Sequence, residues 1–362
     1  MAKKVWVVAA GTGGHIFPGL TLVEEIKKIN PEFDFLFFGT ADRLESKIIP
    51  SKGFPLKILK SGQFKGNALL SKIVVSPLLM AIGFMQVLLE YFKARPKFLI
   101  GVGGYVSVPV GLVAALFRVP IFLLEPNIKS GAANCLLSRF AKLAFTTPGS
   151  DAMTKLKCKT LDYGNPIRGA IIARQVREKV KTILVLGGSQ GALSVCRASL
   201  MAFSSLKLEE KGIEMIVQSG EKNFEQTIEW QKELTLDPYV KVVPFIQNMA
   251  EYLEIADVVV ARAGAMTVAE ITESHLPTIF VPYPYAADDH QTLNAKLLED
   301  SGAAMMVSEK AENFQAELES RLQLLVSDSE GLKKRKSLAD KLGAWARPKA
   351  ALKIAKTILE NL

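Results

Sequence analysis

A short apolar run that breaks on a cluster of glycines and resumes as a helical pattern constrains this chain most. Val5-Trp6-Val7-Val8 leads into Ala9-Ala10-Gly11-Thr12-Gly13-Gly14-His15-Ile16-Phe17-Pro18-Gly19, and Leu20-Thr21-Leu22-Val23-Glu24-Glu25-Ile26 follows with helical spacing. An apolar run without alternation reads as a strand covered on both faces, as in parallel sheets flanked by helices. The order strand, glycine-rich turn, helix therefore predicts an α/β chain. Glycine lets the backbone take positive φ and approach a ligand closely. The free N–H groups at a helix start suit an anion or a reacting oxygen. His15 is the only histidine in the first half of the chain. In such a turn it is a candidate proton acceptor near neutral pH; a loop histidine without chemistry satisfies the same local pattern.

The alternation continues. Strands are predicted at 5–9, 33–38, 98–102, 121–125 and 143–146; Tyr163-Gly164-Asn165-Pro166-Ile167-Arg168 reads as a linker; strands at 182–186, 214–218, 240–244, 258–261 and 278–281 restart the pattern. A length of 362 residues suggests two domains. The chain is thus read as two doubly wound halves, residues 1–164 and 165–345, with parallel sheets. Ligands are expected beyond the carboxyl ends of the strands and in the cleft between the halves.

Further turns fall at predicted strand ends. Gly103-Gly104-Tyr105 and Leu124-Glu125-Pro126-Asn127 do so in the first half, the former as a site-lining turn. In the second half Gly187-Gly188-Ser189-Gln190-Gly191-Ala192 offers the Ser189 hydroxyl to a phosphate oxygen. Ala261-Arg262-Ala263-Gly264-Ala265-Met266-Thr267-Val268-Ala269-Glu270 offers backbone N–H groups around Ala265, Met266 and Thr267 to a diphosphate. Glu270 can accept both hydroxyls of a ribose, or merely complement the helix dipole. Gln291 and Asn294 are three apart on one helix face, and amides there suit a neutral sugar. Asp288-Asp289 without further ligands reads as a helix cap rather than a metal site. Lys333-Lys334-Arg335-Lys336 reads as a solvated face.

Several classes are disfavoured. Ile16 stands where a dinucleotide loop has its third glycine, and Phe37-Phe38-Gly39-Thr40 ends the second strand without the usual ribose-binding acid. Cys135, Cys158 and Cys196 are scattered, which predicts neither a disulfide framework nor a zinc site and suits a reducing compartment. Met1-Ala2-Lys3-Lys4 runs straight into the first strand, so no signal peptide is predicted. Charge is uneven: residues 1–164 hold 21 Lys/Arg against 10 Asp/Glu, a net +11, and residues 165–362 hold 24 against 26, a net −2. The first half therefore suits an anionic partner: nucleic acid, an acidic membrane or a phosphorylated substrate. Residues 73–92 come near the roughly 20 apolar residues of a membrane span. Pro77, Gln86 and Glu90 interrupt them, and a span would divide the sheet. A buried helix, or one dipping into the lipid interface within a ring of Lys and Arg, is the better reading.

These motifs together resemble a family. Gly11-Thr12-Gly13-Gly14-His15-Ile16-Phe17-Pro18, Gly103-Gly104-Tyr105, Glu125-Pro126-Asn127, Gly164-Asn165-Pro166-Ile167-Arg168, Gly187–Ala192, Arg262–Thr267 and His290-Gln291-Thr292-Leu293-Asn294-Ala295 stand in the order seen in the bacterial glycosyltransferase family 28 enzymes that add N-acetylglucosamine to lipid I. The resemblance spans nearly the whole chain. Ala10 departs from a frequent glycine, and Leu124-Glu125-Pro126-Asn127 replaces the commoner His-Glu-Gln-Asn. The resemblance implies a GT-B fold, two Rossmann-like domains with an interdomain cleft, and a C-terminal helix, about 346–362, packed back on the first domain. It implies UDP-GlcNAc as donor and undecaprenyl-linked lipid I as acceptor, with no cofactor, no metal and no nucleic acid. His15 is similar to the proposed general base. Thr12, Gly13 and Gly14 would border donor and acceptor, and Gly103, Gly104 and Tyr105 the acceptor. Asn127 and Arg168 would contact the donor side, Ser189 the diphosphate, and the Ile246 backbone the uracil. Ala265, Met266 and Thr267 would lie near the phosphates, Glu270 at the ribose, and Gln291 with Asn294 at the sugar. The implied location is the cytoplasmic face of the inner membrane, held peripherally on anionic lipid, with other cell-wall synthesis proteins as candidate partners. The competing functions are a diacylglycerol glycosyltransferase, a UDP-GlcNAc 2-epimerase and a nucleotide-binding protein without catalysis.

Overall fold

The structure is a computed structural model that describes residues 3–60, 76–169, 171–188, 191–286 and 289–362. The chain divides into two compact units, Met1–Ile167 with Arg347–Leu362, and Arg168–Ala346. The first runs β1 (Lys3–Ala9), α1 (Gly13–Ile29), β2 (Phe33–Gly39), α2 (Glu45–Ser51), β3 (Leu56–Ile58), α3 (Ser76–Lys93), β4 (Leu99–Gly103), α4 (Ser107–Leu116), β5 (Ile121–Glu125), α5 (Ala132–Leu137), β6 (Leu143–Thr146), α6 (Ala152–Lys155) and β7 (Lys159–Asp162). The second runs β8 (Thr182–Leu186), α7 (Leu193–Ser205), β9 (Glu214–Gln218), α8 (Phe224–Glu233), β10 (Val240–Val243), α9 (Met249–Ile255), β11 (Val258–Ala261), α10 (Ala265–Ser274), β12 (Thr278–Phe280), α11 (His290–Asp300), β13 (Met305–Met306), α12 (Phe314–Val326) and α13 (Ser329–Gly343). The last helix, α14 (Ala350–Glu360), belongs to the first unit.

Each unit is built on one parallel sheet, as the unbroken apolar runs require. The orders are β3-β2-β1-β4-β5-β6-β7 and β10-β9-β8-β11-β12-β13. In both, the order reverses beside the first strand, between β1 and β4 and between β8 and β11. Val5, Val7, Val8, Ile121, Phe122 and Leu123 are fully buried, and so are Ile183, Leu184 and Val185. Two core clusters flank each sheet, one per face. The expected doubly wound α/β architecture is therefore present in both units. The strands the sequence did not mark, β3, β7 and β13, all lie at sheet edges. They are two to four residues long, too short for a pattern to show.

Local packing explains several sequence choices. Gly19 lets α1 lie on β1, since a Cβ there would sit 2.8 Å from the Ala9 Cβ and 3.3 Å from Val102 Cγ2. The α14 face of Ile354, Ala355 and Ile358 completes the core that α1 and β1 begin. At about 1.5–3 kcal/mol per buried isoleucine, that face fixes the end of the chain to the unit where the chain starts. Gly164, at φ +77°, passes Arg347 so closely that a Cβ would meet the Arg347 Cβ at 2.5 Å, and Arg347 Nη2 donates to Asp162 at 2.9 Å.

In the basic run of α13, Lys333 and Lys336 are exposed, as a solvated face requires, and Arg335 alone departs from that reading. Arg335 is buried. Its guanidinium donates to the carbonyls of Leu325, Ser327, Arg177 and Glu178, tying α13 to the end of α12 and to the segment before β8. Among the described residues no helix is long and apolar enough to cross a membrane; of the stretch 73–92, residues 73–75 lie outside the described residues.

Two substitutions test this packing. Ile358→Ala should cost the first unit about 2–5 kcal/mol. Gly19→Ala sets an overpacking cost of about 1–3 kcal/mol against a helix gain of about 0.5–1 kcal/mol, so a net loss is expected. Urea unfolding measures both, and a stabilised Gly19→Ala would contradict the close helix–sheet contact.

Candidate active site

The strand order places two glycine loops side by side at each reversal, where open α/β sheets bind ligands. In the first unit these are the loops after β1 and β4. Gly11 takes φ +108°, and extended Thr12 is the N-cap of α1. The helix begins at Gly13, so His15 lies in its first turn and not in the preceding turn where the sequence reading put it. The N–H groups of His15 and Ile16 both donate to the Thr12 carbonyl, at 3.0 and 3.1 Å. The second loop makes room for the imidazole: a Cβ on Gly103 would lie 3.1 Å from His15 Nε2, and one on Gly104 2.8 Å from the Ala10 carbonyl oxygen. Both glycines have positive φ. Thr12 and Tyr105 are exposed.

Behind this pair lies Glu125, buried at the end of β5. Its carboxylate accepts from Gly131 N at 2.9 Å, Asn134 Nδ2 at 2.9 Å and Asn127 N at 3.2 Å. Burial pushes its pKa up, against the pull of those three donors. The Asn134 amide also donates to the Leu124 carbonyl and faces Gly103. Asn127 is thus held by its backbone, and its carbonyl accepts from Ser150 Oγ at 3.1 Å.

The sequence reading passed over Glu45. It is fully buried at the start of α2, where Oε2 accepts from Gly11 N at 3.2 Å and Oε1 from Thr40 N at 3.1 Å and Thr40 Oγ1 at 2.9 Å. An acidic residue does follow the second strand, but both its oxygens are occupied by the chain itself and none is turned to a ribose. The signal was Gly39: a Cβ there would meet Glu45 Cγ at 2.7 Å.

In the second unit the reversal lies between the loops after β8 and β11. Gly191, at φ +79°, passes 2.0 Å from the Ser219 carbonyl oxygen in the measure of an added Cβ, so no other residue fits. Gln218 Nε2 donates to the Gly188 carbonyl at 3.0 Å. Ser189 lies outside the described residues. After β11, Gly264 is the extended N-cap of α10, so Ala265, Met266 and Thr267 fill the first turn, whose N–H groups have no intrahelical acceptor. Asn294 is buried and donates from Nδ2 to the Ala263 carbonyl at 3.0 Å; it braces this turn from α11. Gln291 accepts from Tyr283 N at 3.0 Å. Ile246, between β10 and α9, is buried. Asp289 is the N-cap of α11 and accepts from Thr292 Oγ1 at 2.7 Å; Asp288 lies outside the described residues.

Glu270 sits in the second turn of α10, 3% exposed, with Arg168 Nη2 3.4 Å from Oε1. Burial raises its pKa and Arg168 opposes the rise. Among the described residues no three His, Cys, Asp or Glu side chains come together as a metal-binding group.

One further surface stands out. On α3, Leu78, Ile82, Met85, Leu89 and Phe92 are exposed, alternately four and three residues apart, hence a single helix face. Leu116 at the end of α4 is exposed too. The other face of α3 buries Val87 and Tyr91, and Tyr91 stacks on Phe117 with ring centroids 3.9 Å apart.

The Arg168–Glu270 pair yields a stability test. Removing one partner of a buried pair costs about 3–5 kcal/mol. Arg168 is 27% exposed and the contact is long, so Arg168→Met should cost about 1–2 kcal/mol. Glu270→Gln removes the buried charge itself and should cost less. Because folding raises this carboxyl's pKa, the folded state binds more protons than the unfolded one between the two values, and stability falls as pH rises through that window. Urea titrations from the ordinary glutamate range upward should show Glu270→Gln gaining on the parent. An unchanged difference would contradict the burial cost.

Comparison with known proteins places this geometry. The glycosyltransferase family 28 N-terminal domain matches residues 5–146 and the family 28 C-terminal domain residues 182–354. Relatives from Anaeromyxobacter sp. (strain Fw109-5), 35% identical over 99% of this chain and 93% of theirs, and Halothermothrix orenii, 36% identical over 95% and 96%, are each named UDP-N-acetylglucosamine--N-acetylmuramyl-(pentapeptide) pyrophosphoryl-undecaprenol N-acetylglucosamine transferase. Among solved structures, Acinetobacter baumannii MurG is similar with a TM-score of 0.78 at 26% identity, covering 99% of both chains. A UDP-glucose: anthocyanidin 3-O-glucosyltransferase in complex with UDP shares the fold, with a TM-score of 0.65 at 16% identity over 99% of this chain and 98% of its own.

Proposed function

This chain belongs to glycosyltransferase family 28, and from that premise we propose that it transfers N-acetylglucosamine from UDP-GlcNAc to the 4-hydroxyl of MurNAc(pentapeptide)-pyrophosphoryl-undecaprenol, giving lipid II and UDP. The observation that carries the proposal is the match, along nearly the whole chain, to relatives bearing the name of that activity. The two units divide the work: residues 1–167 with α14 take the acceptor, and residues 168–346 take the donor.

Transfer from an α-linked UDP sugar to a β-linked product is one in-line displacement. The acceptor hydroxyl oxygen bonds to C1 of the sugar as the bond from C1 to the UDP oxygen breaks. The hydroxyl proton goes to His15, a general base within reach of neutral pH. Negative charge grows on UDP, and the N–H groups of Ala265, Met266 and Thr267, with the Ser189 hydroxyl, receive it. The Glu270 carboxylate accepts the ribose hydroxyls, which requires Arg168 to share it with the ligand or turn toward the diphosphate. The Ile246 backbone reads the uracil. Gln291 still has its NH2 to offer the sugar, while Asn294 supports the phosphate turn by its hold on Ala263. Thr12, Gly13 and Gly14 border both substrates. Gly103, Gly104 and Tyr105 line the acceptor side, and Asn127 contributes on the donor side. No cofactor or metal is assigned a step.

The acceptor's polyprenyl chain gives the α3 face a use. Five exposed apolar side chains on one helix face, beside Lys93, Arg95 and Lys97, suit peripheral attachment to an anionic membrane surface, on the cytoplasmic side where UDP-sugars are available. Other cell-wall synthesis proteins are candidate partners there.

The direct test is transfer of labelled GlcNAc to a lipid I analogue, with EDTA present and a control lacking acceptor. Acceptor-dependent product is expected. UDP release without acceptor would point instead to an epimerase or hydrolase. His15→Ala should lower kcat about 10²–10⁴-fold and leave the Kd for UDP within twofold; near-parental kcat would remove His15 from the base role. Leu89→Glu with Phe92→Glu should abolish sedimentation with anionic vesicles while keeping turnover of a short-chain acceptor, and retained sedimentation would sink the membrane assignment.

A further inference from the structure

The geometry points to Glu45 as a positioning residue for the loop that carries His15, an inference that rests on the base role proposed above. The carboxylate touches neither substrate in this assignment, yet it joins the ends of two adjacent strands. Its Oε2 takes the Gly11 N–H, and its Oε1 takes both the N–H and the hydroxyl of Thr40. The side chain is fully buried, and among the described residues no Lys, Arg or His lies within ion-pair distance of it. A buried carboxylate held only by neutral donors is costly, and removing a donor from it costs more. Such a group is a rigid fixture, able to hold a backbone at an otherwise loose position.

Gly11 is such a position. It has φ +108°, and an added Cβ there would meet nothing within 4 Å. The space around the missing Cβ is open, and the Gly11 N–H is held by the hydrogen bond to Glu45. One residue later Thr12 caps α1, and the Thr12 carbonyl accepts from the His15 N–H. The path from carboxylate to imidazole is thus Glu45, Gly11, Thr12, His15, with Gly103 closing the other side of the ring. Gly39 gives up its side chain to admit Glu45, whose Cγ would lie 2.7 Å from a Cβ there. The second strand thus ends on a glycine that serves the loop after the first.

The test compares Glu45→Gln with the parent, His15→Ala and the double variant, using full-length protein, UDP-GlcNAc and a lipid I analogue. Glutamine keeps the volume, but its NH2 must face either the Gly11 or the Thr40 N–H, so one contact becomes donor against donor. Glu45→Gln should lower kcat at least tenfold, change the UDP Kd less than twofold, and shift the acidic limb of the kcat–pH profile, a readout that plain destabilisation would not move. Ile49→Val, in the core on the same helix, should lower the melting temperature and leave kcat within twofold. In the His15→Ala background Glu45→Gln should add less than a threefold further loss. Parental kcat, an unmoved pH profile, an equal loss in Ile49→Val, or multiplicative losses in the double variant would each overturn the assignment while leaving His15 in place. A fully active His15→Ala would overturn both readings. If Glu45→Gln does not fold, Gly11→Ala strains the same joint with the carboxylate intact; kcat should again fall tenfold at unchanged UDP affinity, and a parental value would overturn the assignment.

Discussion

A parallel sheet whose strand order reverses leaves the loops after its first and fourth strands facing each other without a helix between them. Both units of this protein are built so: His15, Gly103, Gly104 and the start of α10 sit on or directly beside those loops, while Asn127, Ile246, Gln291 and Asn294 come from neighbouring elements. The arrangement works only where backbone can approach backbone. Gly104 meets the Ala10 carbonyl and Gly191 the Ser219 carbonyl at distances that exclude a Cβ, and Gly103, at positive φ, lies tight against the His15 ring. The loops therefore expose N–H groups and helix starts where a branched residue would block them.

Buried carboxylates hold these loops and mark the difference between the units. In the first, Glu45 and Glu125 are satisfied by neutral N–H and O–H donors of the chain itself; they are fixtures. In the second, among the described residues Glu270 has one cation, at 3.4 Å, and a pKa raised by burial. A carboxylate so sparsely satisfied has accepting capacity left for a ligand. That contrast supports assigning the donor's ribose to Glu270.

The central strands were legible because burial on both faces leaves unbroken apolar runs, and the edge strand β10 was marked by its three valines; the other edge strands, β3, β7 and β13, were not, because two to four residues without such a run carry no pattern. The start of α1 was missed for a related reason: Gly13, Gly14 and Pro18 are poor helix formers, and the apolar periodicity begins only at Leu20. Glu45 and Arg335 were misread or passed over because charged residues in charged runs suggest solvent, whereas their burial depends on partners far away in sequence, such as Arg177 and Glu178 for Arg335. The Arg168–Glu270 pair spans 102 positions, which no local pattern reveals. Motif order along the chain, by contrast, carried the family.

The claim on which the account turns is that the second unit holds the nucleotide at its own strand reversal. Hydrogen–deuterium exchange with and without UDP tests it most directly. Protection of the loop after β8, the segment around Ile246 and the first two turns of α10 is the predicted result. Protection of the loop after β1 with none across residues 264–270 would contradict it.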